Sequence, residues 1–426
     1  MRAAVVGGGL AGIAAALELA DHGAEVTLLE ARSRLGGATF SVEREGLWLD
    51  NGQHVFLRCF TEYLGLLGRL GVADRVVLQE RLDIPVLAPG GRCSHLRRSG
   101  LPAPFHLAGA IARYRFLSPA ERLRVLPAAR ALAKIDLADP ALDERTFADW
   151  LADHGQSPRA IDALWNLITL PAVNLPADEA SLSLGAMVFK VGLLDEASSA
   201  DLGYAAVPLQ QLHGDAAERA LADAGVDVRP KTRARTLAEV EGDAVVLAVP
   251  HDEAATIVPG IERVRGLGFS PILNVHVVYD RRVCEHEFAA GLGTPVQFVF
   301  DRTASSGLGR GQYLAVSVSG ASAYADRTLD ELRAEFLPAL AELFPRAREA
   351  RIERFFVTRE PEATFRGAPG TRALRPGPLT QVEGLYLAGA WTDTGWPATM
   401  EGAVRSGLAA ARAALAGAPA RSEVAA

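Results

Sequence analysis

MRAAVVGGGLAG, Met1 to Gly12, is the stretch that decides the fold. Ala3 to Val6 is a short apolar run suited to a buried strand, and Gly7, Gly9 and Gly12 follow at the spacing GxGxxG. This predicts a strand turning tightly into a helix: Gly7 permits the turn, Gly9 removes the side chain that would block a pyrophosphate, and Gly12 lets the helix lie against the strand. Free N–H groups and the positive dipole end at that helix start favour a phosphate. On its own the turn fits any α/β protein. Ala11 to His22, however, has apolar residues at helical spacing, closed by Gly23, and Glu25 to Glu30 (EVTLLE) reads as a second buried strand. That strand ends in an acid at the distance where a ribose 2′-hydroxyl is held. Strand, glycine turn, helix, strand and acid make a complete nucleotide-binding unit. Glu30 also disfavours a 2′-phosphate, because the two anions would repel.

At 426 residues the chain exceeds one ordinary core, so two domains are expected. Cys59, Cys93 and Cys284 form no CxxC pair, which points away from a disulfide framework and from a metal site and fits a cytoplasmic protein. A strand begins within the first residues, with no secretory leader ahead of it, and no apolar run reaches the length of a spanning helix. A net charge of −7 argues against a nucleic-acid partner. From Arg92 to Lys134, however, nine basic residues face a single acid, Glu121, with apolar residues such as Leu101, Phe105, Leu123 and Leu126 between them. This segment reads either as a solvated helical face or as a patch for an anionic membrane surface.

Downstream of Glu30, Gly36 and Gly37 make a second turn free of side chains, and Leu47 to His54 (LWLDNGQH) reads as a strand with polar residues at its end. Residues 81–204 carry mostly helical patterns broken by prolines. Within them Trp165 to Pro176 and Ala186 to Leu194 are apolar enough to line a cavity or to fill a core. A helix–strand pair over 208–229 and a buried strand over 243–250 return to the nucleotide domain. Residues 266–374 are strand-rich, with strands expected at Ile272 to Tyr279, Val296 to Phe300 and Tyr313 to Ser319, a helix at Leu329 to Phe344, and Arg351 to Val357 leading out of this layer. The division expected is therefore a discontinuous nucleotide domain (1–80, 205–265 and 375–416), a split α+β substrate domain (81–204 and 266–374) and a frayed tail (417–426). Leu385 to Ala388, Gly389 and a helix from Met400 close the nucleotide domain.

The glycine turn, Glu30, the RLGG turn and the C-terminal strand–glycine–MEGA helix resemble the FAD-containing amine oxidase and phytoene desaturase superfamily. Within it, DNGQH (50–54), NLP (174–176), NVH (274–276) and WTDTGWPATMEGAVRSG (391–407) are most similar to the hydroxysqualene dehydroxylase family. The resemblance spans essentially the whole chain. It implies a Rossmann-like FAD domain of the glutathione-reductase type with an inserted amine oxidase-like substrate domain. It also implies reductive loss of the hydroxyl of hydroxysqualene in squalene and hopanoid biosynthesis, at the inner face of the membrane. With no second GxGxxG evident, the reductant is expected to visit transiently or to be an electron-donor protein.

Carried over residue by residue, the resemblance sets FAD against Gly7, Gly9, Leu10, Ala11 and Gly12; Glu30, Ala31 and Arg32; and Gly36, Gly37 and Ala38. It adds Asn51, Gly52, Gln53 and His54; Val228; and Gly389, Ala390, Thr399, Met400, Glu401 and Ala403. His54 and His276 are the candidate acids, with Asp393 and Glu401 as alternatives, while Trp391 and Trp396 either wall a cation or pack the domain junction. Asn274 stands where amine oxidases commonly carry a lysine, which speaks against amine oxidation. Ala38 and Ala390 replace a family arginine and aspartate that would hold the cofactor. Their loss leaves open a cofactor-poor lipid-binding homologue; a related flavin desaturase or amine oxidase working oxidatively is the other alternative, which Asn274 and the subfamily motifs disfavour.

Overall fold

The computed structural model describes residues 1–417; the tail expected to fray lies, from residue 418, outside the described residues. Five parallel strands form one sheet in the order Asp227–Pro230, Glu25–Glu30, Arg2–Val6, Ala244–Leu247, Leu385–Leu387. Parallel strands are covered on both faces, and the strand Arg2–Val6 is accordingly apolar after its exposed first residue, with Ala3 to Val6 all buried. Helix Leu10–Asp21 lies on this sheet against helix Met400–Gly417. Their approach is set by Gly407, where a Cβ would stand 2.0 Å from the Ala11 carbonyl oxygen.

Seven strands form the second sheet, in the order Ile352–Phe365, Phe269–Tyr279, Gln312–Val318, Phe298–Asp301, Phe288–Gly291, Asp83–Ala88, Arg92–Arg97. The two-residue period divides the faces of its long strand. Leu273, Val275 and Val277 pack under helix Leu329–Leu343 through Leu332, Phe336 and Leu340, whereas Val278 packs against Leu47 and Leu49 of the strand Leu47–Asp50. Asn274 and His276 share the face of Val278, which is turned towards the strand Leu47–Asp50.

Three expectations are corrected. The segment 81–204 is not helical at its start, because Asp83–Ala88 and Arg92–Arg97 are strands of the large sheet. Arg92 and Arg97 thus sit on a strand, and Arg98 is tied to Asp201 at 2.5 Å, so these three do not belong to a helical basic face. The strand Leu47–Asp50 stops four residues early because Asn51 brackets the chain, donating from Nδ2 to the Ala38 carbonyl and accepting the Phe40 N–H at Oδ1. The stretch from Arg351 expected only to lead out of the strand-rich layer is itself its edge strand, Ile352–Phe365, which runs through Pro361 as an edge position tolerates. The short strand Phe288–Gly291 carries no pattern that the sequence reading found. No helix among the described residues is long and apolar enough to cross a membrane.

Candidate active site

The glycines of the opening turn divide by what they face. A Cβ on Gly7 would lie 2.4 Å from the Ala248 carbonyl oxygen, and one on Gly12 would lie 1.8 Å from that of Gly7, so both are required by the protein itself. Gly9 is different: its Cβ would meet only the Gly37 Cα, at an ordinary 3.7 Å. Internal packing does not demand a glycine there, which fits a position kept bare for a phosphate. Gly9 is also the residue before helix Leu10–Asp21 and supplies no side-chain cap, leaving first-turn N–H groups for a ligand. The second turn backs onto the first. The Gly36 N–H donates to the Gly8 carbonyl, and a Cβ on Gly37 would fall 2.7 Å from the Gly9 Cα.

Glu30 is buried, and its carboxylate accepts the N–H groups of Gly8 and Arg32, both at 2.7 Å, so the acid at the strand end is fixed at the turn. Ala31 follows it, and Val228 pairs with Leu28 on the neighbouring strand. Ala38 contributes only its carbonyl, to Asn51. Arg34, in the same turn, donates to the Gly37 carbonyl and lies over the Phe40 ring at 3.6 Å, and burial lowers its guanidinium to about 10. An arginine is thus present beside the turn although position 38 lacks one.

At the C-terminal junction Gly389 adopts φ +136° and donates to the Ser406 hydroxyl, while the Thr399 hydroxyl accepts the Gly402 N–H at the start of the last helix. Leu10, Ala11 and Met400 are buried around this corner, and Ala403 is half-buried. Glu401 is fully buried but caps a different helix from the one it belongs to. Its carboxylate accepts the Glu62 and Tyr63 N–H groups at the start of helix Thr61–Arg69 and pairs with Arg405.

Gly52 marks a second concentration of polar atoms. A Cβ there would be 3.3 Å from His54 Nε2 and 3.9 Å from Asn274 Nδ2. Asn274 Nδ2 donates to the Asn51 carbonyl at 2.8 Å, which fixes the orientation of the amide. Its Oδ1, with His54 Nε2 and Gln53 Nε2, is sealed from solvent without a hydrogen-bond partner among the described residues. Unpaired buried polar atoms are costly, so a cluster of them on two elements indicates a ligand that completes them. Burial lowers His54 to about 4, with Asp50 pulling the other way. Asp50 is engaged elsewhere, in a buried ion pair with Arg302 at 2.8 Å.

The other candidates occupy different ground. His276 is fully buried, and both ring nitrogens are engaged, Nδ1 with the Tyr313 hydroxyl at 2.6 Å and Nε2 with that of Thr358 at 3.1 Å; burial lowers it to about 3. Trp391 is buried, its indole N–H donating to the Val249 carbonyl. Trp396 and Asp393 line a cavity of about 200 Å³ with Asp143, Met187 and Arg375, and none of His54, Asn274 or His276 lines it. The two tryptophans therefore do not face one space.

Sequence reading missed Arg375, whose buried guanidinium donates to the carbonyls of Trp391, Thr392 and Trp396 at 3.2, 2.6 and 2.8 Å, and to that of Ala390 at 3.4 Å. It also missed the Arg302–Asp50 pair. A surface-type residue in a polar loop carries no local sign that carbonyls from another segment will surround it.

Comparison with known proteins agrees with this geometry. Hydroxysqualene dehydroxylase of Rhodopseudomonas palustris is 29% identical over 431 residues, covering 96% of each chain. A probable zeta-carotene desaturase of Synechococcus elongatus is 26% identical over 97% of this chain and 98% of its own. Among solved structures, putrescine oxidase bound to putrescine aligns with a TM-score of 0.71 at 21% identity, covering 98% of this chain and 99% of that one. Cyclohexylamine oxidase from Brevibacterium oxydans IH-35A aligns with a TM-score of 0.72 at 20% identity, covering 97% and 98%. At those identities the structures establish the amine oxidase-like fold. The profile of flavin containing amine oxidoreductases matches residues 10–415, and the residues of the glycine cradle fit the cofactor: the chain belongs to the flavin containing amine oxidoreductase family and is an FAD-dependent oxidoreductase.

Proposed function

We propose that the protein is a hydroxysqualene dehydroxylase, and the observation that carries this reading is the pair of unpartnered atoms at Gly52, His54 Nε2 and Asn274 Oδ1. Neutral hydrogen-bonding groups at the reacting centre suit an alcohol, and Asn274 in place of a lysine speaks against an amine. In the overall change the C–O bond of the allylic alcohol breaks, a proton joins the departing hydroxyl to make water, and a hydride forms the new C–H bond. Reduced FAD supplies the hydride. The protein's part is to hold the alcohol, exclude water and deliver the proton. His54 is given that proton transfer and Asn274 the orientation of the hydroxyl, while Trp396, on a separate cavity, takes no part in the reacting centre. His276 keeps the strand face in place, and Trp391 and Asp393 brace the C-terminal loop.

An imidazole held at about 4 is protonated in only about one molecule in a thousand at pH 7. The expected result is a kcat/KM for hydroxysqualene that rises about tenfold per pH unit as pH falls from about 8 to 6. His54→Gln removes this slope and lowers the rate by about 10²–10⁴. A flat profile in the unmodified enzyme would take the proton away from His54. A second reading, oxidative desaturation of a polyene precursor, rests on the desaturase relatives. Consumption of such a precursor under air, with no squalene formed anaerobically from hydroxysqualene, would favour it.

The same reading brings the substrate from an anionic membrane. Four of the nine exposed large apolar side chains among the described residues are Leu101, Phe105, Leu123 and Leu126, and exposed Arg113, Arg115, Arg124, Arg130 and Lys134 surround them in sequence. Sedimentation with anionic vesicles is expected to exceed that with neutral ones. Leu123→Glu with Leu126→Glu should weaken it about a hundredfold, from the loss of two buried leucines. Equal sedimentation with both vesicle types would remove the membrane from the proposal.

A further inference from the structure

The cavity of about 200 Å³ beside Trp396 has no place in the chemistry at Gly52. Its walls are apolar on one side, from Leu137, Leu184, Met187, Val191 and Trp396. The charged groups on its other side are largely committed to the protein. Both carboxylate oxygens of Asp143 are engaged, one by the Ser181 hydroxyl and one by the Arg372 N–H, and Asp393 accepts the Gly395 N–H. Arg375 is turned onto the carbonyls of the loop 390–396 and lies over the Phe365 ring at 4.7 Å. A cavity whose charged groups are mostly hydrogen-bonded to the protein, the Arg372 guanidinium included through the Leu137 and Asp139 carbonyls, offers an incoming molecule mainly hydrocarbon contact. The loop that forms one wall is held by four carbonyl contacts to one guanidinium, so that wall is formed before any ligand arrives.

Two further observations say where such a ligand would come from and lead. Helix Pro119–Ala133, which exposes Leu123 and Leu126, packs on the segments Leu182–Phe189 and Lys190–Leu194 that line the cavity. Gly192, next to Val191, neighbours the strand Phe56–Leu57: a Cβ on it would meet the end of the Leu57 side chain at an ordinary 3.5 Å. That strand follows His54 by two residues, which connects the cavity wall along the chain to the unpartnered atoms at Gly52. A volume of about 200 Å³ matches roughly six or seven waters and takes roughly one or two isoprene units of a branched hydrocarbon.

We propose that this cavity is a subsite for an unreacting isoprenoid end of the substrate, with Trp396 as its floor. The subsite rests on the polyprenyl alcohol reading above and selects long chains over truncated ones. Because no step of the reaction occurs there, it is tested by binding rather than turnover, with radiolabelled squalene in detergent micelles as the probe and the flavin-loaded protein as the receptor. Val191→Phe and Leu137→Trp each fill the cavity from a different segment. Each should weaken squalene binding about tenfold or more, in line with the cost of a misfit in an apolar pocket. Each should shift the binding of a truncated allylic alcohol by less than about twofold, so that the ratio of the two affinities changes. Both variants are compared at matched flavin absorbance and thermal midpoint. Should one fail to fold, the other still decides.

Unchanged squalene affinity in a folded variant, equal losses for long and short ligands, or no squalene binding by the unmodified protein would each overturn the subsite. If squalene binding responds as expected but hydroxysqualene is not converted, the subsite stands and the dehydroxylase reading falls.

Discussion

Gly12→Ala is expected to give a protein that purifies without flavin colour. The alanine Cβ would stand 1.8 Å from the Gly7 carbonyl oxygen and 3.4 Å from the Ala248 Cβ. The obstructing atom is backbone within the phosphate turn, so no side chain can swing aside to relieve it. Either the helix Leu10–Asp21 retreats from the turn or the turn opens, and both displace the N–H groups that would face the diphosphate. Overpacking of this kind costs about 1–3 kcal/mol of stability, and the damage is concentrated at the cofactor. Gly23→Ala is the control. It lies just past the other end of the same helix, with φ +78° and nothing within 4 Å of an added Cβ. It should cost about 1–2 kcal/mol for the left-handed backbone and leave flavin content unchanged. Flavin content is read from the visible absorbance relative to protein, and a yellow Gly12→Ala protein would contradict the assignment of the turn.

Acid is expected to unfold the protein well before its carboxylates titrate. His213 and His276 are both fully buried, and burial lowers each to about 3. Above pH 6.5, the ordinary histidine value, both are neutral in the folded and the unfolded chain, and their contribution to stability is complete. As pH falls through 6.5 the unfolded chain takes up protons that the folded chain refuses, so stability is lost progressively until the folded values near 3 are reached. At pH 5 each histidine costs about 2 kcal/mol, and the pair about 4 kcal/mol. That is a large share of the roughly 5–15 kcal/mol available to a folded domain. Urea midpoints of the flavin-saturated protein at about pH 7 and pH 5 measure the loss, and His213→Gln with His276→Gln should remove most of it. Equal midpoints at the two pH values would show that these rings take up protons in the folded state.

The sequence was most informative where structure is local. The opening strand, turn and helix, the acid at Glu30 and the last helix from Met400 follow from spacing within a few residues, and the strand Phe269–Tyr279 from its apolar run. The shared face of Asn274 and His276 follows from the two-residue period alone. Where a strand lies at a sheet edge or carries charged residues, as in Arg92–Arg97 and the polar end of Ile352–Phe365, the local pattern misleads. Partners on another part of the chain then decide its conformation.

By itself the sequence determined a glycine turn for a nucleotide and named the candidates for the ribose contact and for chemistry, because glycine spacing and strand period are written in neighbouring residues. Only the tertiary structure set the surroundings in which the candidates differ. It engaged both nitrogens of His276 and left His54 Nε2, beside Asn274, without a partner among the described residues. It placed Trp396 on a cavity and Trp391 in the interior, and it closed the Asp50–Arg302 pair across 252 positions. Whether a polar atom is satisfied depends on which distant backbone is folded against it, and that is a property of the packed chain.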